Sequence, residues 1–265
     1  MSTISLCNVF ENISSMVWNK IVKDHNVKIN TEEESVTKDI IVEFRTLAET
    51  NTNIGIWANK VSKKAEAIVG SDINIIIEYQ KENFVWFALQ AKILNFNQKY
   101  AQLSYSDNQS QKLEKLKLIT KCTVGFLFYS GVSNSMNQMT DRCGNTFLES
   151  QFGCSIVSLQ SLRQFKLDKI NFSRPAGDYL SLRQYMIPFR NIVCCPPEIP
   201  IQYFSGMEIK KFLGSFEKID TNALFPHYEY EDYSNFKGSD DFRELLVSTK
   251  KVEWTSDFTI VIRLQ

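Results

Sequence analysis

The chain has 265 residues, of which 43% are hydrophobic and 23% are charged, a composition typical of globular domains. Thirty basic and thirty acidic residues cancel to a formal net charge of zero at pH 7, so any surface that attracts nucleic acid must be local. No apolar run approaches the roughly 20 residues of a membrane-spanning helix, and the polar first residues predict no secretory signal. We therefore expect a cytoplasmic protein with no membrane partner.

The sequence lacks the motifs of two common classes of protein. The chain contains no GxSxG elbow, and only His25 and His227 are available as a catalytic base. It also contains neither GxxxxGK[ST] nor GxGxxG, the loops that hold nucleotide phosphates. These absences disfavour a serine or cysteine hydrolase and a nucleotide-binding protein.

Six cysteines occur, at positions 7, 122, 143, 154, 194 and 195. They form no CxxC pair and no histidine cluster accompanies them, so a zinc site is not expected. A cytoplasmic location predicts reduced thiols. We interpret Cys194 and Cys195, which precede a Pro-Pro pair, as the buried end of a strand over residues 187–195.

Two amphipathic helices are predicted near the start of the chain. Apolar residues recur at helical spacing over residues 9–23, and a second such stripe runs over residues 36–48. Thr31 or Asn30 can cap the second helix, and three glutamates at 32–34 lie in its first turn, where the helix dipole favours acids. Each helix is expected to pack its apolar face on the core. His25, between them, is interpreted as a solvated loop residue.

Residues 70–92 predict two strands joined by a tight connection. Cross-strand residue numbers that sum to 162 place Asp72 opposite Gln90 and leave residues 80–82 as the loop, whereas a sum of 164 places Asp72 opposite Lys92. Either register brings a carboxylate, an amide and an ammonium within roughly 5 to 8 Å of one another. Such a group suits a divalent metal that activates water. An exposed edge strand carrying Gln-Ala-Lys is the structural alternative.

The pattern Asp72 followed by Gln90-Ala91-Lys92 resembles the PD-(D/E)XK restriction-endonuclease-like nucleases, in the Mrr-like branch where Gln replaces the usual Glu. A longer set of residues is similar to an uncharacterised bacterial family of that superfamily. It comprises the segments 34–37, 70–72, 90–92 and 127–129 with Glu66, Tyr100, Leu103, Gln111, Leu113 and Leu116.

The resemblance implies an α/β (α+β) fold with a restriction-endonuclease-like core, in which helices flank a central mixed β-sheet. It implies a catalytic set of Asp72, Gln90, Lys92 and Glu34, with Mg²⁺ or Mn²⁺ bound by Asp72, Glu34 and Gln90. Lys92 would orient the attacking water. Glu43 and Glu66 stay open as alternatives to Glu34.

The implied function is metal-dependent hydrolysis of phosphodiester bonds in DNA, in bacterial restriction or antiphage defence. The partner would be nucleic acid, with a homodimer or a neighbouring defence protein completing the assembly. The alternative is a catalytically degenerate module of the same fold that binds nucleic acid or a protein.

The chain is expected to divide into a nuclease-like core with N-terminal helices at 1–135 and a C-terminal elaboration, packed on the core, at 136–265. A helix over residues 109–120 and a buried strand over 123–129 would complete the core. Residues 133–145 are predicted as a polar loop. Further elements are predicted as a strand at 154–159, a helix from residue 158, a helix at 202–217 and a strand at 252–264.

Overall fold

The computed structural model describes residues 6–50, 56–60, 70–80, 83–100, 103, 108–120, 122–133, 137–141, 143–172, 177–195 and 258–263. The helices are α1 (Leu6–Asn26), α2 (Glu33–Thr50), α3 (Asn108–Thr120), α4 (Leu159–Phe172), α5 (Tyr179–Arg183) and α6 (Asn191–Cys194), and a 3₁₀ helix spans Glu149–Gly153. The strands are β1 (Ile56–Lys60), β2 (Ile73–Gln80), β3 (Asn83–Ile93), β4 (Thr123–Tyr129), β5 (Gln138–Thr140), β6 (Thr146–Leu148), β7 (Cys154–Ser158), β8 (Ile187–Pro188) and β9 (Phe258–Arg263).

Seven strands form one sheet in the order β1-β9-β2-β3-β4-β7-β8, while β5 and β6 form a separate hairpin. The sheet is mixed, because β9 runs parallel to β2 but antiparallel to β1, and β2 runs antiparallel to β3. Helices α1 and α4 both contact β7. The predicted α/β (α+β) class, with a central mixed sheet flanked by helices, is confirmed.

The ladder between β2 and β3 adopts one of the two predicted registers. Its pairs run from Ile73 opposite Leu89 to Glu78 opposite Phe84, so the residue numbers sum to 162. The register then shifts, and Gln80 pairs with Asn83. The prediction of a three-residue loop at 80–82 is therefore wrong for Gln80, because this residue still pairs with β3.

One compact unit comprises Met1–Glu43, Gln90–Ser106 and Gly125–Pro200. Helix α1 is central to it and contacts the 3₁₀ helix, β7 and α6. A Cβ atom at Gly153 would overlap the carbonyl oxygen of Ser14, so only glycine allows this approach to the helix backbone. The buried face of α1 consists of Val9, Phe10, Ile13, Ser14, Val17, Trp18 and Ile21.

The second unit comprises Phe44–Leu89, Asp107–Val124 and Ile201–Gln265. Within it, β9 lies between β1 and β2, with Ile262 opposite Ile56 and Thr259 opposite Asn74. One side of β2 and β3 is apolar, and its buried residues are Ile73, Ile75, Val85, Phe87 and Leu89. The predicted division at residue 135 stays a prediction, although β7, β8 and β9 bring residues beyond 135 into the sheet.

The predicted strand over residues 187–195 is wrong. Strand β8 ends at Pro188, and α6 follows at Asn191–Cys194. The Phe189 ring lies 4.5 Å from that of Phe10, and Ile192 is buried, so tertiary packing overrides the strand propensity of Ile192 and Val193. The polar loop expected at 133–145 also contains β5, whose three residues are too short for a periodic signal.

Four of the six cysteines form disulfides, which were not expected from the sequence. Disulfides join Cys7 to Cys194 and Cys143 to Cys195, so the expectation of reduced thiols is wrong for these four residues. Connectivity of this kind cannot be read from spacing, because each pair spans a long stretch of chain. Cys122 and Cys154 are buried and lie outside both disulfides.

Neither predicted cap operates at the start of α2. The Thr31 hydroxyl instead donates to the Asp24 carboxylate at 2.7 Å, and the Asn30 side-chain oxygen accepts from the backbone N–H of Phe96 at 2.9 Å. Both side chains therefore connect the segment between α1 and α2 to other parts of the chain. The predicted helix at 202–217 lies outside the described residues.

Candidate functional site

Gln90 and Lys92 lie on one face of β3, because side chains two residues apart in a strand point the same way. Only 2% of Gln90 and 7% of Lys92 is exposed. Lysine is rarely buried this deeply without a partner. Strand β3 lies between β2 and β4 in the sheet, which excludes the alternative of an exposed edge strand.

The same side of the β2–β3 ladder carries a buried polar pair that the sequence did not single out. The Trp86 indole Nε1–H donates to the side-chain oxygen of Asn74 at 2.9 Å. The register places these two residues diagonally across the ladder, since Asn74 pairs with Ala88 and Trp86 with Ile76. This face thus combines buried polar side chains with the apolar residues Ile76 and Ala88, while the opposite face is apolar.

Asp72 lies immediately before β2 and is half-buried. Its backbone N–H donates to the Leu89 carbonyl oxygen at 2.9 Å, so the backbone at Asp72 is still hydrogen-bonded to β3. The described ladder ends one residue later, at Ile73 opposite Leu89. The structure therefore places Asp72 at the first bend before the strand rather than inside it.

Burial does not distinguish the three candidate helix acids. Glu34 and Glu43 are both exposed on α2, and Glu66 lies outside the described residues. Glu34 and Glu43 are nine residues apart along α2, which is about 14 Å at 1.5 Å per residue. Of these two acids, Glu34 lies in the first turn of the helix.

A chain of contacts links the second turn of α2 to the end of β3. The Thr37 hydroxyl lies 2.8 Å from the Tyr129 hydroxyl at the end of β4. The Tyr129 carbonyl oxygen in turn accepts from the backbone N–H of Leu94, two residues after Lys92. Glu34 precedes Thr37 by three residues and Glu43 follows it by six, and the choice between these two acids stays a prediction.

His25 lies in the last turn of α1, not in a solvated loop as expected. Its Nε2 is 3.0 Å from the Leu94 carbonyl oxygen, and since a carbonyl only accepts, Nε2 carries the hydrogen. Burial lowers the pKa of His25 below its usual value, which favours the neutral ring. Both backbone groups of Leu94 are thus hydrogen-bonded, which fixes the chain just beyond Lys92.

Tyr100, which belongs to the resembling set, has a structural role. Its hydroxyl lies 2.6 Å from that of Ser130, and its ring packs edge-on against Phe128 with centroids 4.6 Å apart. Burial raises the pKa of Tyr100 above its usual value. Gln111, from the same set, is exposed on α3.

Comparison with protein-family models matches residues 6–243 to one family, described as a family of unknown function (DUF6615). None of the curated proteins matches the chain. Across the part of the chain that the structure describes, every helix is too short or too polar to cross a membrane.

Proposed function

We propose that this chain, which belongs to the DUF6615 family of unknown function, is a divalent-metal-dependent nuclease that hydrolyses phosphodiester bonds in DNA. The observation that carries the proposal is the burial of Gln90 and Lys92 on one face of an internal strand. An amide and an ammonium are expensive to bury, so a fold retains them there when they are paired or functional.

The β2–β3 register supports the placement of Asp72 in the same site. Asp72 directly precedes the last described pair, Ile73 opposite Leu89, and Leu89 directly precedes Gln90. The hydrogen bond from Asp72 to Leu89 keeps the backbone of Asp72 against β3. Glu34 is proposed as the second carboxylate, because its segment 34–37 belongs to the residues that carry the resemblance.

The donor set fits Mg²⁺ or Mn²⁺. Asp72 and Glu34 offer carboxylate oxygens and Gln90 an amide oxygen, which are the hard ligands that these ions prefer. When bound, the ion supplies Lewis-acid polarisation of the phosphate and a more acidic water.

Lys92 provides positive charge for a phosphate oxygen and a hydrogen-bond donor that orients the attacking water. The hydrogen bonds to both backbone groups of Leu94 hold the end of β3, two residues beyond Lys92. The resemblance alone supports DNA rather than RNA as substrate, a role in restriction or antiphage defence, and a homodimer or neighbouring defence protein as partner. The proposed cytoplasmic location comes from the sequence, in which we predict no secretory signal.

The test is cleavage of plasmid DNA, linear DNA and RNA by the purified chain in Mg²⁺ or Mn²⁺, with chelator controls. Lys92→Met removes the charge but keeps an unbranched side chain of similar length, and we expect it to abolish cleavage. Lys115→Met on the exposed surface of α3 is the matched control and is expected to retain full activity. Activity in chelator, or full activity in Lys92→Met, would refute the proposal. DNA binding without cleavage under any metal would instead favour the degenerate binding module.

A further inference from the structure

A second group of possible metal ligands lies in the hairpin of β5 and β6 and the end of α6. One carboxylate oxygen of Asp141 and the sulfurs of Cys143 and Cys195 all lie within 4.8 Å of one another. We propose that this Asp–Cys–Cys cluster (Asp141, Cys143 and Cys195) binds Zn²⁺ once its disulfide is reduced. The inference does not depend on the proposed nuclease activity.

The distances suit a zinc ion. Tetrahedral Zn²⁺ with bonds of about 2.3 Å to sulfur separates two thiolates by about 3.8 Å. The Cα atoms of Cys143 and Cys195 are 6.0 Å apart, so side-chain rotation can open the sulfurs to that separation. Three protein ligands leave a fourth position for water, as in zinc sites that are not closed.

The Asp141 carboxylate is held in a fixed orientation, and its Oδ2 has the fewer and on average longer contacts. Its Oδ1 accepts from the backbone N–H groups of Cys143 and Asn145, each at 2.9 Å, and the Asn145 side-chain amide adds a third donor at 3.3 Å. Its Oδ2 lies 3.2 Å from the Asn145 amide and 3.5 Å from Arg190 Nη1. Outer hydrogen bonds of this kind fix metal-binding carboxylates.

The charges around the Asp–Cys–Cys cluster also suit a divalent cation. Arg190, which is 6% exposed, lies between Asp141 and Glu11, with its Nε 2.7 Å from the Glu11 carboxylate. Asp141 therefore already has a cationic partner, and two thiolates would cancel the charge of the ion. Cys143 is exposed while Asp141 and Cys195 are buried, which gives the ion an entry path into a shielded site.

The chemistry is a two-electron reduction followed by ligand exchange. A dithiol reductant breaks the Sγ–Sγ bond of Cys143 and Cys195 and becomes a disulfide itself, while each cysteine sulfur gains one electron and one proton. Zn²⁺ then displaces the two thiol protons to solvent. In either state the turn of the hairpin stays joined to the end of α6, by a disulfide when oxidised and by the ion when reduced.

The test uses the full chain in a Cys7→Ser/Cys194→Ser background, so that only the Cys143–Cys195 disulfide remains among the disulfides described. Co²⁺ is titrated anaerobically into the oxidised protein and into protein reduced with a phosphine, with free thiols verified by alkylation and mass spectrometry. We expect one Co²⁺ per chain in the reduced protein alone, with thiolate-to-cobalt charge-transfer absorption that Zn²⁺ abolishes.

Asp141→Asn should weaken Co²⁺ binding about tenfold or more. Asp178→Asn, which alters a hydrogen-bonded aspartate at the start of α5, is the matched control and should leave binding unchanged. Cys143→Ser should abolish the charge-transfer band. Failure of the reduced protein to bind Co²⁺, equal binding in the oxidised protein, or unchanged binding in Cys143→Ser would overturn the proposal.

Discussion

Glu149→Gln is expected to destabilise the protein strongly, because Glu149 is a fully buried carboxylate that accepts hydrogen bonds from Asn137, Tyr179 and Arg183. Its Oε1 accepts from the Tyr179 hydroxyl at 3.0 Å and from Arg183, and its Oε2 accepts from the Asn137 amide at 2.7 Å. Glutamine keeps the shape but removes the charge, and it turns one acceptor into a donor that faces another donor. The pair with Arg183 is also lost.

The size of the expected loss in unfolding free energy follows from the contacts of Glu149. Breaking a buried ion pair costs about 3–5 kcal/mol, and each hydrogen bond to a charged group contributes about 1.5–3 kcal/mol. The Arg183 side chain is 28% exposed, so water screens part of its interaction and the lower end of the range applies. We expect a loss of about 3 kcal/mol, which corresponds to a fall in Tm of about 6–12 °C for a chain of this size.

The assay is urea unfolding followed by circular dichroism, with Tm measured alongside. Asp39→Asn is the control, because Asp39 pairs with Lys20 at 2.6 Å while 41% of its side chain is exposed. An exposed pair of this kind is worth about 1 kcal/mol or less. If Glu149→Gln costs no more than Asp39→Asn, the reasoning from burial and hydrogen bonding fails.

Three further changes test the packing, the buried hydrogen bonding and the pH dependence of stability. Gly153→Ala should cost about 3 kcal/mol in unfolding free energy by overlap with α1, whereas Gly144→Ala, at a φ of 81° with open space around it, should cost about 1 kcal/mol. Trp86→Phe should cost about 1–3 kcal/mol because it leaves the buried Asn74 oxygen without its indole donor, and adding Asn74→Leu should recover part of that loss in unfolding free energy. His25 has a pKa below its unfolded value of about 6.5, so the unfolded chain binds more protons below that pH and stability falls on acidification; His25→Gln should remove this part of the pH dependence of unfolding between pH 7 and 5.

Elements with a strong local pattern were predicted well. The run of apolar residues at 123–129 matches β4 residue for residue, and the helix predicted at 109–120 differs from α3 by one residue. The sequence limits the pairing of β2 with β3 to residue-number sums of 162 and 164, because a one-residue slip would move every polar side chain to the other face. The structure has the sum of 162.

Features that depend on distant parts of the chain were missed. His25 forms its hydrogen bond with Leu94, 69 residues away, so no local pattern signals it. Strand β9 pairs with β1 and β2 across about 180 residues or more, a topology that periodicity does not encode. The helix at Asn191–Cys194 forms against the strand preference of its own residues, because α1 packs on it.

The central claim is that Asp72 and Lys92 belong to one metal-dependent site, and calorimetric titration with Mn²⁺ tests it most directly. The full-length wild type, Asp72→Asn and Lys92→Met would be compared, with folding verified by circular dichroism. We expect Asp72→Asn to lose Mn²⁺ affinity, because a direct carboxylate ligand is removed. Lys92→Met should bind Mn²⁺ as well as or more tightly than wild type, since a nearby like charge is gone. Unchanged affinity in folded Asp72→Asn, or no Mn²⁺ binding by the wild type, would contradict the account.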